Sequence, residues 1–317
     1  MDEPRHMLYC GDMLDILKDH PDKSVDLCFC SPPYENARTY GMEFKLKNEA
    51  FIEWCKPRFM ECLRVTNGLV CWVINNKTRQ FRSSCVVECL VADLHRAGVR
   101  FRKTQVFHRV GIPGSGGKDY MRDDWEFILV AQGFKGPLPW SENTACGHKP
   151  KWAPGGEMSH RLSNGDRRNE WGGTGHSTGG EGRNPDGTHK TRKSKKEKLA
   201  LGAKVHTKNG DDGMMEQVYL PPKIANPGNV WKCKVGGGLM GSPLAHENEA
   251  PFPESLAEKF VLSFCRPGGI VLDPFCGSGT TGSVAIKHGR RFMGIDIRES
   301  QIELTNRRLD GVQKVLC

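Results

Sequence analysis

The sequence lacks any apolar run long enough to cross a membrane. The longest run, Gly68 to Ile74, is far shorter than the roughly 20 residues that a spanning helix needs. The first residues are charged and contain no apolar signal core. We therefore expect a cytoplasmic protein with no membrane partner.

Closely spaced cysteine pairs are also missing. The chain has 13 cysteines but no Cys-x-x-Cys pattern. An odd number of scattered cysteines is a poor disulfide framework. The pairs that occur, Cys28 with Cys30 and Cys85 with Cys89, do not have the spacing of common zinc sites. This pattern predicts reduced, partly buried thiols and no metal.

Acidic residues are fewer than basic residues, so the formal net charge is +9 and the sequence pI is near 8.9. Such an excess favours an anionic partner, with nucleic acid as the first candidate. The mean hydropathy of −0.53 and the 37% of apolar residues still permit a packed core. A length of 317 residues suggests two domains, or one domain with a large insertion.

Residues 1–133 and 230–317 alternate short apolar runs with amphipathic stretches. This alternation of strands and helices predicts a wound α/β sheet. The predicted strands are Val25–Cys30, Leu69–Ile74, Glu126–Ala131, Ile270–Leu272 and Phe292–Ile295. The predicted helices lie within Ser84–Leu94, after Pro253, from about Thr280, and over Glu299–Leu309.

Residues 134–229 are rich in Gly, Pro, Asn, Ser and charge, a composition that does not easily bury a core. The segment is either a disordered surface insertion or a nucleic-acid contact that orders on binding, and the flanking motifs favour the second interpretation. The candidate phosphate contacts are Thr191, Arg192, Lys193, Lys195, Lys196 and Lys198. The candidate readers of guanine edges are Arg161, Arg167 and Arg168.

A glycine-rich loop, DPFCGSGTT at 273–281, follows a predicted strand and precedes a predicted helix, which is the context of a ligand-binding loop. Gly277 and Gly279 let the backbone approach a ligand closely. The third glycine of the dinucleotide fingerprint and the lysine of a phosphate-binding loop are absent. Asp273 would repel a pyrophosphate, whereas Asp296, at the end of the next strand, can accept bonds from ribose hydroxyls. The pattern suits a ligand with a cationic amino group and a ribose, such as S-adenosylmethionine (AdoMet).

A second loop, Ser-Pro-Pro-Tyr at 31–34, ends the first buried strand. Pro32 and Pro33 fix its backbone. The Ser31 hydroxyl and the Pro32 carbonyl could accept hydrogen bonds from the amino group of a base, which would make its nitrogen more tetrahedral and nucleophilic. Tyr34 could stack on that base, which would have to be flipped out of a duplex. A proline-rich turn without a catalytic role is the alternative.

The order of three motifs, Tyr9-Cys10-Gly11-Asp12, SPPY and DPFCGSGTT, resembles the beta class of DNA amino-methyltransferases, SPPY type. Residues 122–133 and 243–261 also look like segments of that family. The resemblance implies a circularly permuted, Rossmann-like AdoMet-dependent methyltransferase fold. Its sheet of about seven strands is mostly parallel, with an inserted target recognition region.

The resemblance also implies residue roles. Ser31, Pro32, Pro33 and Tyr34 would hold the target base. The implied cofactor-binding residues are Asp12 at the adenine, Asp296 at the ribose, and Asp273, Phe275, Gly277, Gly279 and Thr280. No metal is implied. Residues 1–133 would form the catalytic half, 134–229 the target recognition insertion and 230–317 the AdoMet-binding half.

The first letter of SPPY bears on the base, since in this family Ser goes mostly with cytosine N4 and Asp mostly with adenine N6. We therefore expect N4-methylation of cytosine in double-stranded DNA by base flipping, within a bacterial or phage-infected cell. The biological setting stays open among restriction-modification, a phage and an orphan regulator. A carbon-5 mechanism would need a cysteine, usually in a Pro-Cys pair, and none occurs. The alternatives are adenine N6, a DNA-binding module without catalysis, or an AdoMet enzyme acting on RNA or a small molecule. Some family members are dimers, so a homodimer stays open.

Overall fold

The computed structural model describes residues 4–36, 44–111, 119, 121–150, 203–208, 214–219, 223–236, 240–247 and 251–316. The chain folds into two compact units. The first combines Met1–Cys146 with Gly228–Cys317, and the second is Gly147–Pro227.

The elements are numbered in chain order. The strands are β1 (His6–Cys10), β2 (Val25–Cys30), β3 (Thr66–Ile74), β4 (Thr78–Arg79), β5 (Arg82–Ser83), β6 (Arg100–Phe101), β7 (Gln105–Val110), β8 (Trp125–Gln132), β9 (Ala203–Lys208), β10 (Met214–Tyr219), β11 (Val230–Lys234), β12 (Ile270–Asp273) and β13 (Arg291–Asp296). The α-helices are α1 (Met13–Leu17), α2 (Asn48–Val65), α3 (Val86–Arg96), α4 (Glu254–Phe264), α5 (Thr280–Lys287) and α6 (Glu299–Leu316), and Pro243–Glu247 forms a 3₁₀ helix.

Within the described residues of the first unit, nine strands form one mixed sheet in the order β1-β13-β12-β2-β3-β8-β7-β11, with β6 also paired to β8. All neighbours are parallel except β8, which runs antiparallel to its partners. The strand order reverses between β12 and β2, and ligands of open α/β sheets bind at the carboxyl ends of strands at such a point. The predicted α/β methyltransferase fold, with a mostly parallel sheet, is confirmed.

Both faces of the sheet are covered by helices. In β2, Cys28 and Cys30 pack on one face with α1, α2 and α3, while Leu27 and Phe29 pack on the other with α4, α5 and α6. Side chains alternate across a strand, so a strand buried on both faces has the continuous apolar run seen in β2.

The predicted strands and helices of residues 1–133 and 230–317 are present with small changes in their ends. The final helix extends to Leu316 rather than Leu309. The long helix α2 and the strands β7 and β11 were not predicted. No described helix is long and apolar enough to span a membrane.

In the second unit, β9 and β10 pair antiparallel, with Ala203 opposite Tyr219 and Lys208 opposite Met214. Much of the predicted recognition insertion, including the basic run at 190–198 and Arg161, Arg167 and Arg168, lies outside the described residues. Residues 134–146 belong to the first unit.

Candidate active site

A cleft opens at the carboxyl ends of β12 and β2, where the strand order reverses. It contains about 1040 Å³ of empty space, part of it open to solvent. The predicted site residues that line it are Asp12, Ser31, Pro33, Asp273, Phe275, Gly277, Thr280 and Asp296. Pro32, Tyr34 and Gly279 are not among the lining residues. Two motifs about 240 residues apart therefore meet in one cleft, because the permuted sheet places β2 beside β12.

The glycine loop is held in a tight turn before α5. Gly277 and Gly279 have φ angles of 50° and 73°, in the left-handed region that favours glycine. The Gly277 N–H donates to Asp296 Oδ2 at 3.0 Å, and the Thr305 hydroxyl donates to the Gly277 carbonyl at 2.7 Å. A Cβ at Gly279 would lie 2.7 Å from Thr305 Cγ2, so the role of Gly279 visible here is packing rather than lining the cleft.

A buried arginine supports the same loop from α6. The Arg308 guanidinium donates to the Ser278 carbonyl at 3.1 Å and to Thr280 Oγ1 at 3.0 Å. It also pairs with Glu254 at 2.7 Å. Arg308 was not predicted, because an arginine in an amphipathic helix is usually solvent-exposed; its burial is a consequence of tertiary packing.

The cleft lining carries three carboxyl groups, on Asp12, Asp273 and Asp296, and two guanidinium groups, on Arg58 and Arg298. Asp273 is 2% exposed; it accepts a hydrogen bond from Thr281 Oγ1 at 2.7 Å and another from the Phe275 N–H at 3.1 Å. Burial, helped by the nearby charge of Asp296, raises the pKa of Asp273 to about 7, although the two hydrogen bonds act against the rise. A buried carboxyl group of this kind favours a cationic ligand group.

Helix α2 contributes two cleft residues that were not predicted, Trp54 and Arg58. Asp12 is the N-cap of α1 and accepts a hydrogen bond from the Leu14 N–H at 2.9 Å. The Arg58 guanidinium pairs with the second carboxylate oxygen of Asp12 and lies 4.2 Å from the centre of the Trp54 ring. Their spacing of four residues puts Trp54 and Arg58 on one helix face, but Pro57 obscures the helical pattern.

The SPPY loop is fixed by a chain of polar contacts. The Ser31 hydroxyl donates to the Val73 carbonyl at 3.0 Å and lies 3.4 Å from the Tyr34 hydroxyl. The Tyr34 hydroxyl donates to Glu126 Oε2 at 2.6 Å, and Arg109 pairs with the other Glu126 oxygen at 3.1 Å. Burial raises the pKa of Glu126, while the Tyr34 hydrogen bond and the Arg109 charge act against the rise.

The buried cysteines beside this loop are poor nucleophiles. Cys28 and Cys30 are fully buried in β2. Burial raises the pKa of Cys30 to about 12 and that of Cys28 well above its ordinary value. Since the thiolate is the reactive form, these residues act as packing groups at neutral pH.

The permuted sheet, with one glycine loop and one SPPY loop meeting at its switch point, defines a methyltransferase of the AdoMet-dependent fold. A family model described as DNA methylase, of the N6/N4 type, matches residues 25–307. The chain belongs to this family, and it is a DNA amino-methyltransferase of the N4/N6 class.

Similar proteins of known sequence or structure are also described as DNA methyltransferases or methylases. The DNA adenine methyltransferase YhdJ of Escherichia coli K12 is 27% identical over 305 residues, covering 95% of this chain and 81% of the relative. The PvuII DNA methyltransferase, described as cytosine-N4-specific, has a TM-score of 0.60 at 14% identity, covering 99% of this chain and 94% of that one. A putative DNA modification methylase of Thermus thermophilus, solved with S-adenosyl-L-methionine, has a TM-score of 0.55 at 20% identity, covering 97% and 94%. At these identities the two solved structures establish similarity of fold.

Proposed function

We propose that the protein transfers a methyl group from AdoMet to the exocyclic N4 of cytosine in double-stranded DNA. The target base would be flipped into the cleft between the SPPY loop and the glycine loop. The observation that carries this proposal is that Ser31 lines the same cleft as Asp273 and Asp296.

The chemistry of the cleft fits AdoMet. Asp273 offers a buried carboxyl group to the cationic amino group, and Asp296 keeps lone pairs for ribose hydroxyls although it already accepts the Gly277 and Arg298 N–H groups. A carboxylate has about four acceptor positions, so these bonds leave room for a ligand. The aromatic side chains of the cleft, Phe44, Trp54, Phe252 and Phe275, offer an apolar surface to the adenine. When bound, AdoMet supplies an electrophilic methyl group.

The Ser31 hydroxyl is prepared to act as a hydrogen-bond acceptor. A hydroxyl group has one proton and two lone pairs, and the Ser31 proton is directed to the Val73 carbonyl. Its lone pairs are then available to an amino N–H of the base. Accepting this bond draws electron density toward the amino nitrogen of the base and holds that nitrogen facing the cleft.

Adenine N6 is the second candidate. The relative that supports adenine is the E. coli adenine methyltransferase, whose alignment covers 95% of this chain. The residue that favours cytosine is Ser31, at the first position of SPPY. Residues 134–229 are proposed to supply target recognition.

The test is nucleoside mass spectrometry after incubation of the protein with mixed-sequence duplex DNA and methyl-labelled AdoMet. We expect label in N4-methylcytosine, and sequencing of the methylated DNA identifies the recognition site. Label in N6-methyladenine would keep the reaction class and overturn the base assignment. Label in RNA but in no DNA would overturn the DNA substrate, and DNA binding without any methyl transfer would leave only a binding module.

A further inference from the structure

A short hairpin between β3 and α3 carries an exposed aromatic side chain. Its strands β4 and β5 pair Thr78 with Ser83 and Arg79 with Arg82, leaving a two-residue turn at Gln80 and Phe81. These turn residues have φ angles of 47° and 63°, a left-handed turn that normally uses Asn or Gly. Phe81 is 77% exposed, so this unfavourable turn places a largely exposed aromatic side chain at the tip of the hairpin.

The hairpin lies beside the catalytic loop. The Lys77 ammonium, at the base of the hairpin, donates to the Asn36 carbonyl at 2.8 Å, two residues after Tyr34. The strand leading into the hairpin, β3, also supplies the Val73 carbonyl that orients Ser31. The hairpin therefore follows the carboxyl end of β3, and its base contacts the chain just beyond the SPPY loop.

A polar pocket at the foot of the hairpin is positively charged. Its basic residues are Lys47, Lys77 and Arg82, and Ser83 and Ser84 add hydroxyl groups. Its acid, Glu35, is 5% exposed and accepts the Asn48 N–H at 2.8 Å. Cations and hydroxyl groups of this kind bind the phosphates of a DNA backbone.

We propose that the hairpin is a DNA wedge. Phe81 inserts into the base stack at the place left by the flipped target base, and Lys47 and Arg82 bind a neighbouring phosphate. The inference rests on the proposed function, because it assumes that the target base leaves the duplex. Minor-groove and architectural DNA-binding proteins insert apolar side chains between base steps and partly unstack them.

The test compares Phe81→Ala with the unchanged protein on two duplexes that contain the recognition site. One duplex is fully matched, and the other has an abasic position opposite the target base, which makes flipping easier. We expect Phe81→Ala to lower kcat/KM on the matched duplex by about tenfold or more. On the abasic duplex we expect a rate within about threefold of the unchanged protein.

Three further variants sharpen the comparison. Phe81→Trp retains a stacking ring and should keep most of the activity on the matched duplex. Met60→Ala removes another exposed apolar side chain, 43% exposed on α2, and should change neither rate. Arg82→Ala should weaken binding to all duplexes. It should also make the negative slope of log affinity against log salt shallower by about 0.9.

The wedge is overturned if Phe81→Ala matches the unchanged protein on both duplexes, or if it loses the same factor on both, since an equal loss marks an ordinary contact. Absence of methyl transfer by the unchanged protein to both duplexes would instead refute the proposed function, and the wedge with it. Full activity of the unchanged protein with no effect of Phe81→Ala would refute the wedge alone.

Discussion

The Ser31 hydroxyl donates its single proton to the Val73 carbonyl, 3.0 Å away, which leaves its oxygen lone pairs free to accept hydrogen bonds in the cleft. Removal of the hydroxyl removes these acceptors. We expect Ser31→Ala to lower kcat by about 100-fold, in the range found when one polar group that stabilises a transition state is deleted. AdoMet binding, measured by calorimetry, should stay unchanged. Ser141→Ala, in an exposed loop, is the matched control. A parallel loss of binding and transfer would reject the role given to Ser31.

The proposed pairing of the buried Asp273 carboxyl group with AdoMet predicts that AdoMet binding depends on pH. Since burial raises its pKa from 3.8 to about 7, the carboxyl group must lose a proton before it can pair with the cationic amino group. We expect affinity to rise from about pH 6 to about pH 8. Asp273→Asn should bind AdoMet more weakly at the upper pH and respond less to pH, as measured by calorimetry. An unchanged pH profile in Asp273→Asn would assign the titration to another group.

The same shift changes the stability of the ligand-free protein. The folded pKa of Asp273 lies above the unfolded value of 3.8, so the folded state holds its proton more tightly. The resulting stabilisation is complete below pH 3.8 and is lost as pH rises toward about 7. Asp273→Asn should remove this contribution from denaturation curves, whereas Asp15→Asn, at an exposed position on α1, should leave it.

At the scale of elements, the strands that could be predicted are those with continuous apolar runs, such as β2 and β3. The strands β7 and β11 are short and mix polar with apolar residues, so their pairing depends on neighbours that the local pattern does not contain. Helix α2 escaped prediction because it contains a proline, Pro57, and because Arg58 lies on its buried face. The motif residues of the cleft were identified because loops after strands carry recognisable patterns, whereas Arg58 and Arg308 join the site through tertiary packing.

Two glycines allow the cost of a left-handed backbone to be compared with the cost of a steric clash. Gly279 and Gly289 have φ angles of 73° and 70°, but only a Cβ at Gly279 meets an atom within 4 Å. Gly289→Ala should reduce the free energy of unfolding by about 1–2 kcal/mol through its left-handed backbone. Gly279→Ala should lose about 1–3 kcal/mol more through the clash with Thr305. Chemical denaturation measures both, and equal losses would show that the loop absorbs the added methyl group.

The attachment of α2 to the cleft depends on Arg58, which pairs with Asp12 and stacks on Trp54. Arg58→Ala leaves the Asp12 carboxylate without that partner and should lower the free energy of unfolding by about 1–3 kcal/mol. Lys56→Ala, on the same helix, removes surface ion pairs with Glu53 and Asp93 and should have little effect, because such pairs contribute little. Thermal melts compare the two, and equal melting temperatures would show that the Arg58 contacts contribute nothing to stability.

At the scale of the whole molecule, a chain of net charge +9 has only two arginines and no lysine in the lining of its cleft, so most of its positive charge lies elsewhere. Replacing Lys193, Lys195 and Lys196 with glutamine should make the negative slope of log affinity against log salt shallower. The change should be up to about 0.9 for each lysine that contacts a phosphate. The set of methylated sequences should stay the same, because phosphate contacts carry no base information.

The matched control for this triple variant removes the same charge from Lys18, Lys23 and Lys287. Lys23 precedes β2 and Lys287 ends α5, so both lie toward the amino ends of the parallel strands, away from the cleft at the carboxyl ends; Lys18 follows α1. We expect the control to change the salt slope much less, as measured by fluorescence anisotropy on one duplex across a salt series. If both triple variants shift the slope equally, net charge alone drives DNA binding. If only the first does, residues 193–196 contact the backbone directly.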